Sequence, residues 1–261
     1  MPSIDVNGTN IYYERQGSGP PLLFIHGALG DASRFTTFGQ RLADAFTIVA
    51  YDRRGHSRSP RPNGWKPTGV DEQADDAAAL LAALALAPAN VYGSSGGAII
   101  ALNLVMRHPD VVRRAILHEP PLFSVLQHPE AVRAEMGGAI EKGMAAGGPP
   151  AAAEAFLRWV AGDASWEALS PEQQERTRAN FGTFAEEVAA PPYQPEPSAM
   201  KAVTLPVRVL ASTDSMPWFA EAAGWVAANL GVELVRTPGS HTPQRDHPDE
   251  LAKQIRSFLD P

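Results

Sequence analysis

The sequence predicts an α/β protein whose mostly parallel, eight-stranded sheet carries helices on both faces and a helical insertion. Short apolar runs alternate with helix-type segments along most of the 261 residues. This alternation stops between about residues 123 and 200, where only helix signals occur, and then resumes. We therefore expect a core formed by residues 1–122 and 201–261, interrupted by a helical cap, or lid, of residues 123–200.

The amino-acid composition excludes several classes of function. Hydrophobic residues make up 44% and charged residues 20% of the chain, and the formal net charge is −7. Because the two signs are interspersed, no basic face is available for a nucleic acid. The absence of cysteine excludes disulfides, thiolate metal ligands and a cysteine nucleophile. No signal-peptide pattern and no apolar run of 18 residues is present, so we expect a cytoplasmic protein with no membrane partner.

The first strands predict an antiparallel start followed by parallel pairing. Asn7-Gly8 separates two short alternating runs, which is the strongest local signal for a β-hairpin. The strands that follow are continuous apolar runs, as expected when helices cover both faces of a sheet. These runs are LLFIHG, TIVAYD, ANVYG and VVRRAILHE, and after the cap LPVRVLAS and VELVRTPG.

Helices are predicted between these strands. Residues 31–46 place large apolar side chains at helical spacing, and residues 70–86 begin with acidic residues before an Ala/Leu run. A third helix ends at Pro109, and two more, WFAEAAGWVAANL and HPDELAKQIRSFL, follow the cap. In the cap, Ser170 and Gln173 predict a capping box. The cap helices are expected near residues 130–146, 151–161 and 171–188.

The most informative motif is Gly93-Ser94-Ser95-Gly96-Gly97, a Gly-x-Ser-x-Gly sequence between a predicted strand and a predicted helix. Small residues are needed there because the strand-to-helix turn is sharp and crowded. The turn lifts the Ser95 hydroxyl above the sheet and directs the Gly96 N–H toward a developing oxyanion. A packing turn of small residues is the alternative interpretation, and the flanking strand and helix argue against it.

Two further loops supply the partners that a serine nucleophile needs. His26-Gly27-Ala28-Leu29-Gly30 follows the first parallel strand, and the Ala28 N–H is the second candidate oxyanion donor. Of the seven histidines, His241 lies between the last strand and the last helix, from where an imidazole reaches the serine. The sequence contains no metal-ligand spacing, so we expect neither a metal nor a cofactor.

Two carboxylates satisfy the chain order of serine, acid and histidine. Glu119 in LHEPP stands where a buried strand ends, and burying it is costly unless it has a cationic partner such as His241. Asp214 follows the next predicted strand, in a stretch that is also typical of a turn. Glu119 has a structural alternative too, as an anchor of the cap through an arginine. On these residues alone, Glu119 and Asp214 both remain candidates for the acid.

The chain resembles the α/β-hydrolase superfamily in five stretches: HGALG, YDRRGHSRS, VYGSSGG, LPVRVLASTD and PGSH. The resemblance implies a Ser–His–acid mechanism, with the acid most often after the seventh strand, which is Asp214 here. Ser57 departs from the superfamily pattern, which usually has glycine at that position. HEPP is similar to a subgroup, the zearalenone-type lactone hydrolases, whose acid is a glutamate after the sixth strand, and this similarity favours Glu119.

These residues predict a serine hydrolase of carboxylic esters or lactones that acts through an acyl-enzyme. The expected substrate is a small, apolar molecule held under the cap. Five residues are candidates for its contacts: Leu29, Phe123, Trp159, Phe181 and Trp218. Cleavage of a carbon–carbon bond in a meta-cleavage product and a non-catalytic ligand receptor remain as alternatives. The sequence does not distinguish a monomer from a homodimer.

Overall fold

A computed structural model describes residues 2–259. Its eight strands form one sheet in the order β1-β2-β4-β3-β5-β6-β7-β8, and the β1–β2 and β2–β4 pairs are antiparallel while the others are parallel. The predicted mostly parallel sheet is confirmed. The strands are β1 (Ser3–Val6), β2 (Thr9–Gln16), β3 (Pro21–Ile25), β4 (Thr47–Tyr51), β5 (Ala89–Ser94), β6 (Val112–His118), β7 (Val207–Ser212) and β8 (Leu234–Thr237).

Helices cover both faces of the sheet. They are α1 (Ser33–Gly39), α2 (Val70–Ala83), α3 (Gly96–Arg107), α4 (Pro129–Ala161), α5 (Asp163–Glu167), α6 (Pro171–Ala179), α7 (Phe181–Ala189), α8 (Pro197–Lys201), α9 (Pro217–Leu230), α10 (Pro243–Asp246) and α11 (Pro248–Leu259). Within residues 2–259, none of them is long and apolar enough to cross a membrane.

Successive side chains along each strand point to opposite faces of the sheet, so the core consists of two apolar layers, one on each face. In β3, Leu23 and Ile25 pack with the buried side chains of α2, α3 and α9 on one face. Leu22 and Phe24 pack on the other face with α1 and α11, where the ring centroids of Phe24 and Phe35 lie 4.8 Å apart. Every residue of β4 is buried, as expected for a strand covered on both faces.

The first helix is shorter than its apolar spacing predicts. A helix over residues 31–46 was expected, whereas α1 ends at Gly39 and a series of turns follows. Glycine is a poor helix former, which accounts for the early end. Leu42 and Phe46 are nevertheless fully buried, so the spacing correctly identified the buried side chains but overestimated the helix length.

Residues 123–200 contain α4 to α8. The helices expected over 130–146 and 151–161 are the two halves of α4, joined by a kink at Gly147 and Gly148 directly before two prolines. The helix expected over 171–188 is divided into α6 and α7 at Asn180. The capping box is present, because the Ser170 hydroxyl accepts a hydrogen bond from the Gln173 N–H at 3.2 Å, and the Gln173 side chain accepts one from the Ser170 N–H.

The α4 kink predicts opposite effects for two glycine-to-alanine changes. Gly148 has φ 69° and ψ −156°, a region that only glycine occupies without strain, so Gly148→Ala should lower the free energy of unfolding by about 1–3 kcal/mol. Gly138 is exposed, and a Cβ there meets nothing within 4 Å, so Gly138→Ala should raise that free energy by about 0.5–1 kcal/mol. Urea unfolding followed by circular dichroism measures both. A Gly148→Ala change that leaves this free energy the same or raises it would contradict the assignment of strain to the kink.

Candidate functional site

Ser95 lies in the turn between β5 and α3 with φ 55° and ψ −128°, a strained conformation for a residue with a side chain. Its N–H donates to the carbonyl oxygen of His118 at 2.9 Å. Two neighbours must be glycine for the turn to close. A Cβ on Gly93 would lie 2.7 Å from the carbonyl carbon of Gly97, and a Cβ on Gly97 would lie 2.7 Å from the carbonyl oxygen of His26. The motif therefore owes its small residues to packing around the serine.

The loop after β3 passes directly beside this turn. A Cβ on Gly27 would lie 2.7 Å from the Ser95 Cβ and 3.2 Å from its Oγ, so the close approach depends on glycine. A Cβ on Gly96 would lie 3.7 Å from the backbone nitrogen of Ala28. The structure thus brings the backbone of Ala28 and Gly96, the two candidate oxyanion donors, together next to the serine.

His241 is paired with a buried carboxylate. Its Nδ1 hydrogen-bonds to Oε2 of Glu119, and the two residues are 6% and 0% exposed. The carboxylate also accepts hydrogen bonds from the Ser212 N–H at 2.8 Å and from the Ser215 hydroxyl at 3.0 Å. Nδ1 is engaged by Glu119, so Nε2 is the nitrogen that does not face this carboxylate, and His241 and Ser95 line one small cavity.

Glu119 and Asp214 occupy very different environments. Glu119 follows β6 with φ 51°, and its N–H donates to the carbonyl oxygen of Leu210 in β7 at 3.0 Å. Asp214 lies in the turn after β7 with an exposed side chain, and its N–H donates to the carbonyl oxygen of Gly239 at 2.9 Å. Of the two candidate acids, Glu119 is the one that the structure places against His241.

Burial and neighbouring groups change the pKa values of Glu119 and of the histidine next to it. Burial on its own raises the pKa of this carboxyl, but the neighbouring His118 and His241 and the N–H of Ser212 outweigh that effect, so the pKa of Glu119 lies below its ordinary value. Burial lowers the pKa of His118 to about 4, although the charge of Glu119 opposes the change. The His118 ring contacts the hydroxyls of Ser94 and Ser212, at 3.4 and 2.9 Å.

A cavity of about 590 Å³ opens above Ser95 and is lined mostly by apolar side chains of the sheet edge and of residues 123–200. Three predicted contact residues form an aromatic wall, with ring centroids 5.3 Å apart for Phe123 and Trp218 and 6.5 Å apart for Trp159 and Trp218. The other two, Leu29 and Phe181, are buried in an apolar cluster rather than in this wall.

Arg53 is a functional candidate that the sequence indicated only as part of the turn after β4, with its partners unassigned. It is buried at the cavity, where Nη1 donates to Oε1 of Glu187 at 2.7 Å and to the side-chain oxygen of Gln73. Nη2 donates to the carbonyl oxygen of Gly27 at 3.3 Å. Burial alone raises the pKa of Glu187, but the charge of Arg53 outweighs it and holds that pKa below its ordinary value. Arg53 therefore links α7 to the loop that carries the candidate oxyanion donor.

Comparison with known proteins identifies related hydrolases. The family model for the alpha/beta hydrolase fold matches residues 20–145. The uncharacterized hydrolase YraK of Bacillus subtilis (strain 168) is 46% identical over 133 residues, which span 51% of this chain and 49% of that protein, about half of its length. Zearalenone hydrolase of Bionectria ochroleuca is 28% identical over 257 residues, which span 95% of this chain and 93% of the relative.

Solved structures show the same fold. The enol-lactonase from Burkholderia xenovorans LB400 superposes on this chain with a TM-score of 0.78 at 22% sequence identity. The superposition covers 100% of both chains. It extends the similarity over residues 146–261, which the family model does not match.

The buried histidines predict a loss of stability in mild acid. Burial lowers the pKa of His118 and of His56 to about 4 in the folded protein, whereas an unfolded histidine has a pKa of about 6.5. Between these values the unfolded chain binds protons that the folded chain excludes, so the free energy of unfolding falls as the pH falls. Each histidine should contribute a loss of about 2 kcal/mol between pH 7 and pH 5.

Urea unfolding at the two pH values tests this prediction. His118→Gln should reduce the difference in unfolding free energy between them, because one of the responsible groups is removed. His128→Gln, which removes an exposed histidine, is the matched control and should keep the wild-type difference. An undiminished difference in the His118 variant would show that this histidine is not the source.

Proposed function

We propose that the chain is a hydrolase of the α/β-hydrolase superfamily and that it cleaves carboxylic esters or lactones with Ser95 as the nucleophile. The observation that carries the proposal is the hydrogen bond between His241 and the buried Glu119, in a cavity that both His241 and Ser95 line. Nucleophilic catalysis by serine requires this combination of hydroxyl, imidazole and orienting carboxylate.

In the proposed reaction, Ser95 Oγ attacks the substrate carbonyl carbon while Nε2 of His241 takes the hydroxyl proton. The N–H groups of Ala28 and Gly96 donate to the oxyanion of the tetrahedral intermediate. The bond to the leaving oxygen then breaks, and His241 gives its proton to that oxygen, which leaves an acyl-enzyme. Water attacks the acyl-enzyme in the same way, and its proton passes through His241 to Ser95.

Glu119 has two tasks in this mechanism. Its hydrogen bond to Nδ1 fixes the imidazole orientation, and its negative charge stabilises the imidazolium that forms when Ser95 loses its proton. The lowered pKa of Glu119 keeps the carboxylate ionised at neutral pH. The donors from Ser212 and Ser215 hold the carboxylate in place, so His241 does not have to position it alone.

The cavity favours an apolar substrate that contains a ring. Phe123, Trp159 and Trp218 offer stacked aromatic surfaces, and rings pack well against such surfaces. Zearalenone hydrolase, which aligns over nearly the whole chain, is named for its action on zearalenone, and the enol-lactonase is named for a lactone. These names support a lactone or ester as the substrate class, with residues 123–200 acting as a cap over it.

The nucleophile is tested by comparing Ser95→Ala with its neighbour Ser94→Ala. Loss of Ser95 should lower kcat by about 10⁴–10⁶-fold, because no acyl-enzyme can form. The Ser94 variant should retain most of the activity, since that hydroxyl hydrogen-bonds with His118 and has no part in the proposed acyl transfer. Assays use aryl esters, lactones and a vinylogous diketone. Activity that survives in the Ser95 variant would sink the proposal, and fastest turnover of the diketone would favour carbon–carbon cleavage instead.

The acid is tested by comparing Glu119→Gln with Asp214→Asn. The first change leaves a neutral amide beside His241 and should lower kcat by about 10⁴-fold. The second alters an exposed turn and should change kcat little. Thermal unfolding of both variants controls for loss of folded protein. If the Asp214 variant is inactive while the Glu119 variant works nearly normally, the assignment of the acid is wrong.

A further inference from the structure

A second, smaller cavity of about 60 Å³ meets the large one at the serine. Ser95, Ala28, Phe156 and Val160 line both cavities. The rest of its wall combines apolar side chains, such as Phe35 and Leu157, with His241 and with polar side chains from the segment that follows His241. The nucleophile therefore stands between a large, mostly apolar cavity and a small cavity whose wall also contains charged side chains.

Two arginines in the wall of the small cavity form no ion pair with an acidic residue in the part of the chain that the structure describes. Arg34 donates from Nη2 to the Thr177 hydroxyl at 2.8 Å, and Arg245 donates from Nη1 to the carbonyl oxygen of Ser165. Among residues 2–259, neither guanidinium has a carboxylate oxygen within 4 Å. Both side chains are half-buried, so their charges are only partly screened by water.

No neighbouring carboxylate among the described residues neutralises the positive charges of Arg34 and Arg245. Burial lowers the pKa of Arg34 to about 10, and the charge of Arg245 adds to that effect while Asp31 opposes it. Asp31 is itself engaged by the Arg176 guanidinium at 2.6 Å. The side-chain oxygen of Gln244, in the same cavity wall, is buried without a hydrogen-bond partner among the described residues. The two cations point to an anionic ligand, whereas the Gln244 oxygen is an acceptor and calls for a hydrogen-bond donor other than a carboxylate.

The position of the cavity indicates which part of the substrate enters it. His241 delivers a proton to the leaving oxygen, so the leaving group lies next to the imidazole. His241, Gln244 and Arg245 all line the small cavity. A cavity needs about 10–15 Å³ of this volume for each water, so 60 Å³ accommodates a carboxylate on a short linker.

We propose that the small cavity is a carboxylate-binding subsite for the leaving half of the substrate, with Arg34 and Arg245 as its ligands. The inference rests on the proposed esterase or lactonase function and narrows it. The preferred substrate has an apolar acyl part in the large cavity and a carboxylate on the alcohol side of the scissile bond. An apolar acid esterified to a short hydroxy acid is the simplest such molecule.

The test uses two esters that differ only in the charge of the leaving group, the hexanoyl esters of glycolic acid and of glycolamide. The wild type should show a kcat/KM for the glycolate ester about tenfold or more above that for the glycolamide ester, the scale of hydrogen bonds to a charged group. Arg34→Gln and Arg245→Gln should each bring this ratio toward one. Because the ratio is taken within each variant, partial loss of folded enzyme cancels.

Arg113→Gln is the matched control, since it removes an equal charge from an exposed position on β6 and should keep the wild-type ratio. A wild-type preference for the glycolamide ester overturns the subsite. A ratio that is the same in the Arg34 and Arg245 variants as in the wild type also overturns it.

A binding measurement decides the question if neither ester is hydrolysed, an outcome that would count against the proposed function itself. Thermal unfolding of the wild type and of Ser95→Ala is followed with glycolate or glycolamide at constant ionic strength. The subsite predicts a higher Tm with glycolate only, and loss of that rise in Arg34→Gln and Arg245→Gln. Equal Tm values with glycolate and glycolamide would then overturn the inference.

Discussion

The site depends on one buried ion, the carboxylate of Glu119. An ionised carboxylate in a fully buried position is unfavourable by several kcal/mol unless its oxygens are hydrogen-bonded. Its partners come from separate parts of the chain: the Ser212 N–H at the end of β7, the Ser215 hydroxyl in the next turn, and the His241 imidazole after β8. Three strand ends must therefore be in the correct register before the carboxylate is stable, so sheet assembly and site assembly are a single event.

The same sheet edge maintains two strained residues. Ser95 and Glu119 follow the neighbouring strands β5 and β6 and have φ 55° and 51°, and such conformations cost about 1–3 kcal/mol each. Both N–H groups donate to the adjacent strand, Ser95 to His118 and Glu119 to Leu210. The pairing pattern of the sheet thus continues through the strained residues and holds their side chains above its edge. The hydrogen bonds to the adjacent strands therefore offset part of the strain at the two residues to which we assign catalytic roles.

The sequence predicts the parts of this arrangement that depend on local pattern. The strands, the tight turn at Gly93–Gly97 and the Ser170 capping box all follow from residues that are close in sequence. The choice between Glu119 and Asp214 does not, because both satisfy the same chain order and only their contacts in the fold differ. Local sequence patterns also cannot predict contacts between residues far apart in the sequence. Arg53 and Glu187, which are 134 residues apart, are an example.

Those long-range pairings connect the helices of residues 123–200 to the loop of the candidate oxyanion donor Ala28. Arg53 contacts both Glu187 in α7 and the carbonyl oxygen of Gly27. Asn180, at the break between α6 and α7, donates to the carbonyl oxygen of Gly30 at 2.9 Å, at the other end of the same loop. A shift of these helices would remove hydrogen bonds from both sides of Ala28. The helices that line the proposed substrate cavity therefore also hold the loop of Ala28, so in the proposed mechanism substrate fit and oxyanion geometry depend on one set of contacts.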